Sequence, residues 1–169
     1  LFDTWAAELD AAAYRRWALP ATTASLRTAR RAGRVPAILF AGRSGHLLDA
    51  MRDSRADVIS LGCDVPLDEA WRRLGHRVAV QGNLDPRRLS APRRELFAAA
   101  RDVLRRADGR PGHIFNLGHG VPKETDPSRI RDLVDFVHEQ TAVRSSSRVA
   151  RQPATSSDGI ELTRCSSSL

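Results

Sequence analysis

Positions 112–120 read Gly-His-Ile-Phe-Asn-Leu-Gly-His-Gly, a short apolar run that leads directly into a histidine between two glycines. The apolar run is typical of a buried strand. Gly118 and Gly120 leave the backbone on either side of His119 without side chains, so the imidazole is free to face a ligand. Because histidine titrates near neutral pH, it can donate a hydrogen bond to a carboxylate. The motif therefore indicates a binding or catalytic site at the end of a strand.

The other histidines lack this glycine context. They are predicted to be structural or exposed, and they are His46, His76, His113 and His138.

A second motif, Gln-Gly-Asn-Leu-Asp-Pro at positions 81–86, ends an earlier apolar run in the same way. Asn83 and Asp85 are residue types that bond to nearby backbone in turns, and Pro86 fixes the exit of the chain. We interpret this motif as a scaffold beside the site. Substrate contact by Gln81, Asn83 or Asp85 is the less favoured alternative.

Short apolar runs alternate with longer stretches of helical spacing along the chain. The predicted strands are Leu1 to Thr4, Val35 to Ala41, Asp57 to Gly62, Arg77 to Gln81 and His113 to Leu117. The predicted helices are Ala11 to Ala32, Gly45 to Ser54, Leu67 to Leu74, Pro92 to Ala107 and Pro127 to Gln140. Five repeats of strand and helix predict an α/β fold with a parallel sheet covered by helices.

Composition limits the classes of function. The formal charge is +7, but many arginines fall in pairs that lie mostly on predicted outer helices, which indicates solvated helix faces and no nucleic-acid partner. Cys63 and Cys165 are too far apart in sequence to suggest a disulfide framework or a metal motif. No stretch resembles a membrane span or a signal peptide, so we expect a cytoplasmic protein without a membrane partner. Positions 143–169 are rich in serine and arginine, which predicts a disordered tail.

The motifs together resemble the uroporphyrinogen decarboxylase family. The resemblance rests on Asn-Leu-Gly-His-Gly at 116–120 and Gln-Gly-Asn-Leu-Asp-Pro at 81–86. It also includes Leu-Phe-Asp-Thr-Trp at 1–5, Pro-Ala-Ile-Leu-Phe-Ala at 36–41, Gly-His-Leu-Leu at 45–48, Ala-Pro at 91–92 and Leu-Val-Asp-Phe-Val-His-Glu at 133–139. These pieces follow the family's order and approximate spacing over positions 1–142.

The resemblance implies a fold, a reaction and a site. The fold is a (β/α)8 barrel of the TIM type, of which about five C-terminal β/α units are expected here, since 169 residues are fewer than the roughly 250 of a closed barrel. The reaction removes the acetate carboxylates of uroporphyrinogen III to give coproporphyrinogen III, without a metal or organic cofactor. Thr4 and His119 match the substrate-contacting positions. The family's catalytic aspartate and arginines have no match in this chain.

The resemblance further implies a homodimer for a whole family member. Since the chain begins inside a strand motif, we expect a fragment that has negligible activity alone.

The sequence departs from the family pattern at several strand ends. Gly62-Cys63-Asp64 stands where the family pattern has Asp-Trp-Thr, so Gly62 and Cys63 replace an expected Asp-Trp pair. Gly42 and Arg43 replace a lysine, and Lys123 follows Pro122 where Leu-Pro is usual. These changes concern the geometry of the site.

Two alternatives remain. One is a non-catalytic remnant, or one half of a split barrel completed by another chain. The other, less favoured, is a corrinoid-linked methyltransferase of the same fold, which would need a zinc site built from histidine and cysteine.

Overall fold

The computed structural model describes residues 1–33 and 36–149. Within these residues, strands β1 (Ile38–Phe40), β2 (Val58–Ser60), β3 (Ala79–Leu84) and β4 (His113–Leu117) form one sheet in the order β1-β2-β3-β4. Every neighbouring pair is parallel. Parallel neighbours require a crossover connection, and helices supply it here. The predicted α/β fold with a parallel sheet is confirmed.

Helices precede the first strand and follow each of the four strands. The α-helices are α1 (Ala11–Ala13), α2 (Leu19–Gly33), α3 (Leu48–Asp53), α4 (Leu67–Leu74), α5 (Arg93–Ala107) and α6 (Pro127–Val149). The 3-10 segments are Thr4–Glu8, Gly45–Leu47 and Pro86–Ser90, and a π-helical turn, Tyr14–Ala18, joins α1 to α2. Pro20 explains the π turn, because a proline has no N–H to donate to the carbonyl of the preceding turn.

Local chemistry sets the ends of the helices. Helix α4 has the predicted bounds and ends at Gly75, whose φ of +81° closes the helix in the left-handed region. At the start of α6, the Asp126 carboxylate accepts a hydrogen bond of 2.8 Å from the backbone N–H of Ser128 and so caps the helix. Helix α6 runs to Val149, beyond its predicted end. Positions 150–169 of the predicted tail lie outside the described residues.

The prediction of a strand from Leu1 to Thr4 is wrong in extent. The first three of these residues do run parallel to β1, with Phe40 N–H donating to the Leu1 carbonyl at 3.0 Å and Asp3 N–H donating to the Phe40 carbonyl at 2.8 Å. Only Phe2 forms a bridge, however, and Thr4 already begins a 3-10 helix. The physical reason is that this segment has a strand neighbour on one side alone, so its pairing is short. The fifth β/α unit is therefore present as a single bridge.

The two faces of the sheet have different environments. Leu39, Ile59 and Val80 stand side by side in the register of the strands, and each is 0% exposed in the main core cluster with residues of α2, α3 and α4. The alternate positions, Phe40 and Ile114 among them, point to the opposite face. Ile114 is 42% exposed there. The sheet thus buries its outer face under helices and leaves part of its inner face open.

A second core cluster lies between the end of β3, α5 and α6. The rings of Phe97 and Phe136 stack at 4.3 Å with an interplanar angle of 7°. This contact holds α6 against α5.

Both edges of the sheet leave apolar surface uncovered. A groove of about 560 Å³ runs between β4, α5 and α6, and its lining includes Leu104, Phe115 and Val134. Exposed large hydrophobic side chains occur at the first edge, in the π-helical turn, at β4 and its following loop, and along this groove; they are Leu1, Phe2, Trp5, Trp17, Ile114, Val121 and Val134. This distribution agrees with a partial barrel whose remaining strands are missing from the described residues.

The difference between the two faces predicts unequal effects of the same substitution. Ile59→Ala removes a buried side chain from a central strand and is expected to lower the free energy of unfolding by about 3 kcal/mol. Ile114→Ala is the matched control, and its expected loss is about 1 kcal/mol or less because the side chain is partly exposed. Urea unfolding followed by circular dichroism measures both. Equal losses would contradict the assignment of the faces.

Candidate functional site

The carboxyl ends of parallel strands lie at one edge of the sheet, and here their loops meet in backbone contacts that exclude side chains. A Cβ on Gly118 would lie 2.7 Å from the Cys63 backbone nitrogen and 3.0 Å from the Gly62 carbonyl carbon. A Cβ on Gly62 would lie 2.7 Å from the Gly42 carbonyl oxygen. The loops after β1, β2 and β4 therefore pack directly on one another. We call this contact region, residues 42–45, 62–65 and 118, the glycine junction.

The loop after β4 reaches across the end of the sheet at this junction. The rings of His119, after β4, and Phe40, in β1, lie 6.2 Å apart in an edge-on contact. In a flat sheet, the backbones of β1 and β4 would be separated by about 14 Å. The packing of the β4 loop on Gly62 and Cys63, together with the reach of the two side chains, brings His119 to the end of β1.

The two predicted substrate-contacting residues both lie at this end of the sheet. His119 is exposed and touches Phe40, whose ring also contacts Phe2 at 5.7 Å. Thr4 follows Phe2 by two positions, is exposed, and places its carbonyl 3.2 Å from where a Cβ on Gly42 would lie. Phe40 thus connects the loop that carries Thr4 with the loop that carries His119. The roles of both residues stay predictions.

Asn83 stabilises the glycine junction through two side-chain hydrogen bonds. Its side chain is 8% exposed, and its amide nitrogen donates to the Gly62 carbonyl at 2.9 Å and to the Val65 carbonyl at 2.7 Å. Both amide hydrogens are therefore used by the loop after β2. The sequence indicated a scaffold at this motif but assumed bonds to its own turn, whereas Asn83 reaches a different loop.

The rest of this motif has local roles. The Arg87 side chain donates to the Asp85 carboxylate and forms an ion pair of 2.6 Å with it, and this hydrogen bond holds the pKa of Asp85 below its ordinary value. Gln81 donates weakly to the Ser60 hydroxyl at 3.3 Å. Asp85 and Gln81 thus have partners within the protein.

His113 packs on the helix side of β4, away from His119. Its Nε2 donates to the Gly82 carbonyl at 2.9 Å, and its ring lies near those of Trp71 and Phe115. Burial lowers the pKa of His113, although the bond to Gly82 opposes the shift. This environment agrees with the structural role predicted for His113.

Sequence reasoning missed the position of Asp64. Its carboxylate accepts a hydrogen bond of 2.8 Å from the Gly45 N–H, across two loops. The only signal in the sequence was the departure from the family pattern at residues 62–64. In the described residues, no group of three or more histidine, cysteine, aspartate or glutamate side chains is placed to hold a metal ion.

Close packing of the glycine junction makes one glycine far less replaceable than another. Gly118→Ala must push a methyl group into the backbone of the β2 loop, and we expect a loss of about 2 kcal/mol in the free energy of unfolding. Gly120→Ala is the control, because a Cβ there meets nothing within 4 Å. Urea unfolding of both variants is the measurement. A harmless Gly118→Ala would show that the loops are not in contact.

Partly buried His113 predicts a pH dependence of stability. Because its pKa is lower in the folded chain, the unfolded chain binds a proton that the folded chain does not, and stability falls as pH drops through about 6.5. His113→Gln keeps a donor for Gly82 and removes the titration. We expect this variant to lose less stability than the wild type between about pH 7.5 and about pH 5.5. Urea unfolding at both pH values tests this, and identical losses would refute it.

Comparison with known proteins identifies the family. Residues 1–140 match the sequence model described as uroporphyrinogen decarboxylase (URO-D). The chain is 47% identical over 142 residues to the uroporphyrinogen decarboxylase of Koribacter versatilis, covering 84% of this chain and 40% of that protein. It is 49% identical over 142 residues to the uroporphyrinogen decarboxylase of Salinispora tropica, covering 84% and 38% respectively. The chain therefore spans about 40% of the length of the curated relative from Koribacter versatilis.

Among solved structures, a methyltransferase from Methanosarcina mazei superimposes with a TM-score of 0.71 at 17% sequence identity, covering 83% of this chain and 41% of the other. Identity at that level shows a shared fold only. The methyltransferase alternative accordingly has less support than the decarboxylase. With its motifs, its parallel sheet and a match over residues 1–140, the chain belongs to the uroporphyrinogen decarboxylase family.

Proposed function

We propose that this chain forms the C-terminal part of a uroporphyrinogen decarboxylase barrel and supplies part of its substrate-binding mouth. The observation that carries the proposal is the contact between His119 and Phe40, which gathers the loops of His119 and Thr4 at the carboxyl end of the sheet. Active sites of barrels of this kind form at that end. Membership of the family indicates the class of the reaction, which is a decarboxylation.

The chemistry proposed for these residues is recognition of carboxylates. The substrate carries its negative charges on acetate and propionate side chains, and a neutral hydroxyl or an imidazole N–H can donate to them. Thr4 and His119 are exposed at the mouth, so both donors are accessible. We assign Thr4 and His119 to substrate binding and not to proton transfer.

The decarboxylation itself needs a group that stabilises the cationic pyrrole. Protonation of the ring creates an electron sink, carbon dioxide leaves, and the resulting methylene is protonated to a methyl group. A carboxylate close to the pyrrole nitrogens suits this charge, but none of the described residues matches the family's aspartate. We therefore place the catalytic aspartate in the remaining part of the barrel.

That remaining part is also what the open edges of this chain would bind. Strand β4 is paired on one side only, and the apolar groove between β4, α5 and α6 follows its free edge. Phe2 and Trp5, exposed to 82% and 81%, lie at the opposite edge, where Phe2 bridges to β1. We propose that the N-terminal strands and helices of a family barrel cover both surfaces, either in one longer chain or as a separate polypeptide.

Three further proposals rest on the sequence analysis alone. They are a homodimer for the whole protein, a cytoplasmic location, and the absence of a nucleic-acid partner. Helices of the described residues are all too short or too polar to cross a membrane.

Complementation tests the proposed function. The 169-residue chain is co-expressed with the part of the Koribacter versatilis relative that it does not match, and uroporphyrinogen conversion is followed by chromatography of the oxidised porphyrins. We expect a stable complex that produces coproporphyrinogen, and negligible conversion by the chain alone. Conversion by the chain alone would show that the chain does not need the rest of the barrel for activity. A stable complex without conversion would contradict the decarboxylase function.

A paired substitution locates the site in the same assay. His119→Asn is expected to lower kcat/KM of the complex by roughly 10- to 100-fold, the effect of losing a hydrogen bond to a charged group. His76→Asn is the control, since His76 is exposed, lies next to α4 and has a φ of +56° that asparagine tolerates.

A further inference from the structure

The Asp64 carboxylate occupies the space of a missing side chain. A Cβ on Gly62 would lie 2.5 Å from Asp64 Oδ1 and 3.1 Å from the Arg43 Cα. Asp64 is therefore folded back over the β2 loop, and its oxygen fills the position where a residue other than glycine at 62 would begin. The position of the Asp64 carboxylate therefore requires a glycine at position 62.

The same carboxylate ties the β2 loop to the β1 loop. Asp64 Oδ2 accepts the hydrogen bond from the Gly45 N–H at 2.8 Å. Arg73, from α4, donates to the Gly45 carbonyl at 2.8 Å, and the Ser44 N–H donates to the Gly42 carbonyl at 3.0 Å. The turn of residues 42–45 is thus held at both of its ends.

Arg43 projects from this fixed turn and has a free side chain. It is exposed, and within the described residues its guanidinium forms no ion pair or hydrogen bond, not even with nearby Asp64. The neighbouring cation Arg87 is instead paired with Asp85. An unpaired guanidinium on a rigid loop is well suited to bind a carboxylate with two parallel hydrogen bonds.

Arg43 and His119 flank the same dipeptide. The Arg43 Cα lies against Gly62, and Gly118, which precedes His119, lies against Gly62 and Cys63. Two groups that bind carboxylates therefore emerge from one rigid junction.

We propose that Arg43 binds a carboxylate of the tetrapyrrole substrate and that Asp64 is the residue that positions it, by holding the turn of residues 42–45. The inference rests on the proposed function, because it assumes a polycarboxylate ligand at the mouth. It adds a binding residue and a positioning residue that belong to this chain's own departures from the family pattern.

Fluorescence titration of the complex between the 169-residue chain and the unmatched part of the Koribacter versatilis relative, with uroporphyrin I, a stable octacarboxylate, as the ligand, tests this inference. Arg43→Gln is expected to weaken binding by about tenfold. Arg72→Gln is the matched control, because it removes the same charge from an exposed site on α4. Equal affinities of these two variants would overturn the inference and leave the proposed function standing. Absence of saturable binding by the wild type would overturn the substrate class, and the inference with it.

Substitutions of Asp64 separate positioning from simple electrostatics. Removing a negative charge near the mouth would by itself strengthen the binding of a polyanion. If Asp64 positions Arg43, Asp64→Ala must instead weaken binding by several-fold, and the double variant with Arg43→Gln must bind no worse than Arg43→Gln alone. Asp64→Asn keeps an oxygen that accepts from Gly45 and should retain the wild-type affinity or exceed it. Tighter binding by Asp64→Ala would overturn the positioning role.

Discussion

The contact of backbone against backbone at the glycine junction is the constraint on which the mouth of this half-barrel depends. Gly62 and Gly118 permit approaches that a methyl group would prevent. Because the three loops touch directly, the positions of His119, Arg43 and the Asp64 carboxylate are all fixed relative to one backbone unit. The hydrogen bonds from the Asn83 side chain to two carbonyls of the β2 loop further restrict the movement of that loop. Polar groups on such a support are organised before a ligand arrives, which lowers the entropic cost of binding.

The open inner face is the second feature of this sheet. The sheet buries Leu39, Ile59 and Val80 beneath the helices, yet leaves Ile114 and Phe2 uncovered on the inner side and at the edge. An open parallel sheet with an exposed inner face is unusual, because parallel sheets are normally covered on both faces. Closing the barrel would pair the free edge of β4 and enclose the inner face together. The uncovered edge of β4 and the proposed location of the catalytic aspartate therefore point to the same remaining part of the family fold.

Local signals in the sequence were sufficient to predict most helices and strands. They did not predict the contacts between loops that are distant in sequence. Helix α4 was predicted with its observed bounds because Gly75 ends a clear helical period. The strand predicted from Leu1 to Thr4 was wrong in extent, since pairing depends on a neighbour that a sequence pattern does not reveal. Asp64 could be recognised only as a departure from the family pattern. Its function depends on the distance between two loops separated by 19 positions in sequence, and no periodicity encodes such a distance.

The distribution of charge connects the helical layer to the mouth. Many arginines of the outer helices form ion pairs that join neighbouring elements: Arg106 of α5 reaches Asp68 of α4 at 2.8 Å, and Arg15 reaches Asp53 of α3 at 2.5 Å. Each such exposed pair contributes about 1 kcal/mol or less, but pairing lowers the number of free cations on the helical surface. Arg43 remains unpaired within the described residues, at the end of the sheet where polycarboxylates would enter. The net charge of +7 therefore favours approach of an anion in general, whereas in our proposal the rigid turn beneath Arg43 determines where one carboxylate of the substrate binds.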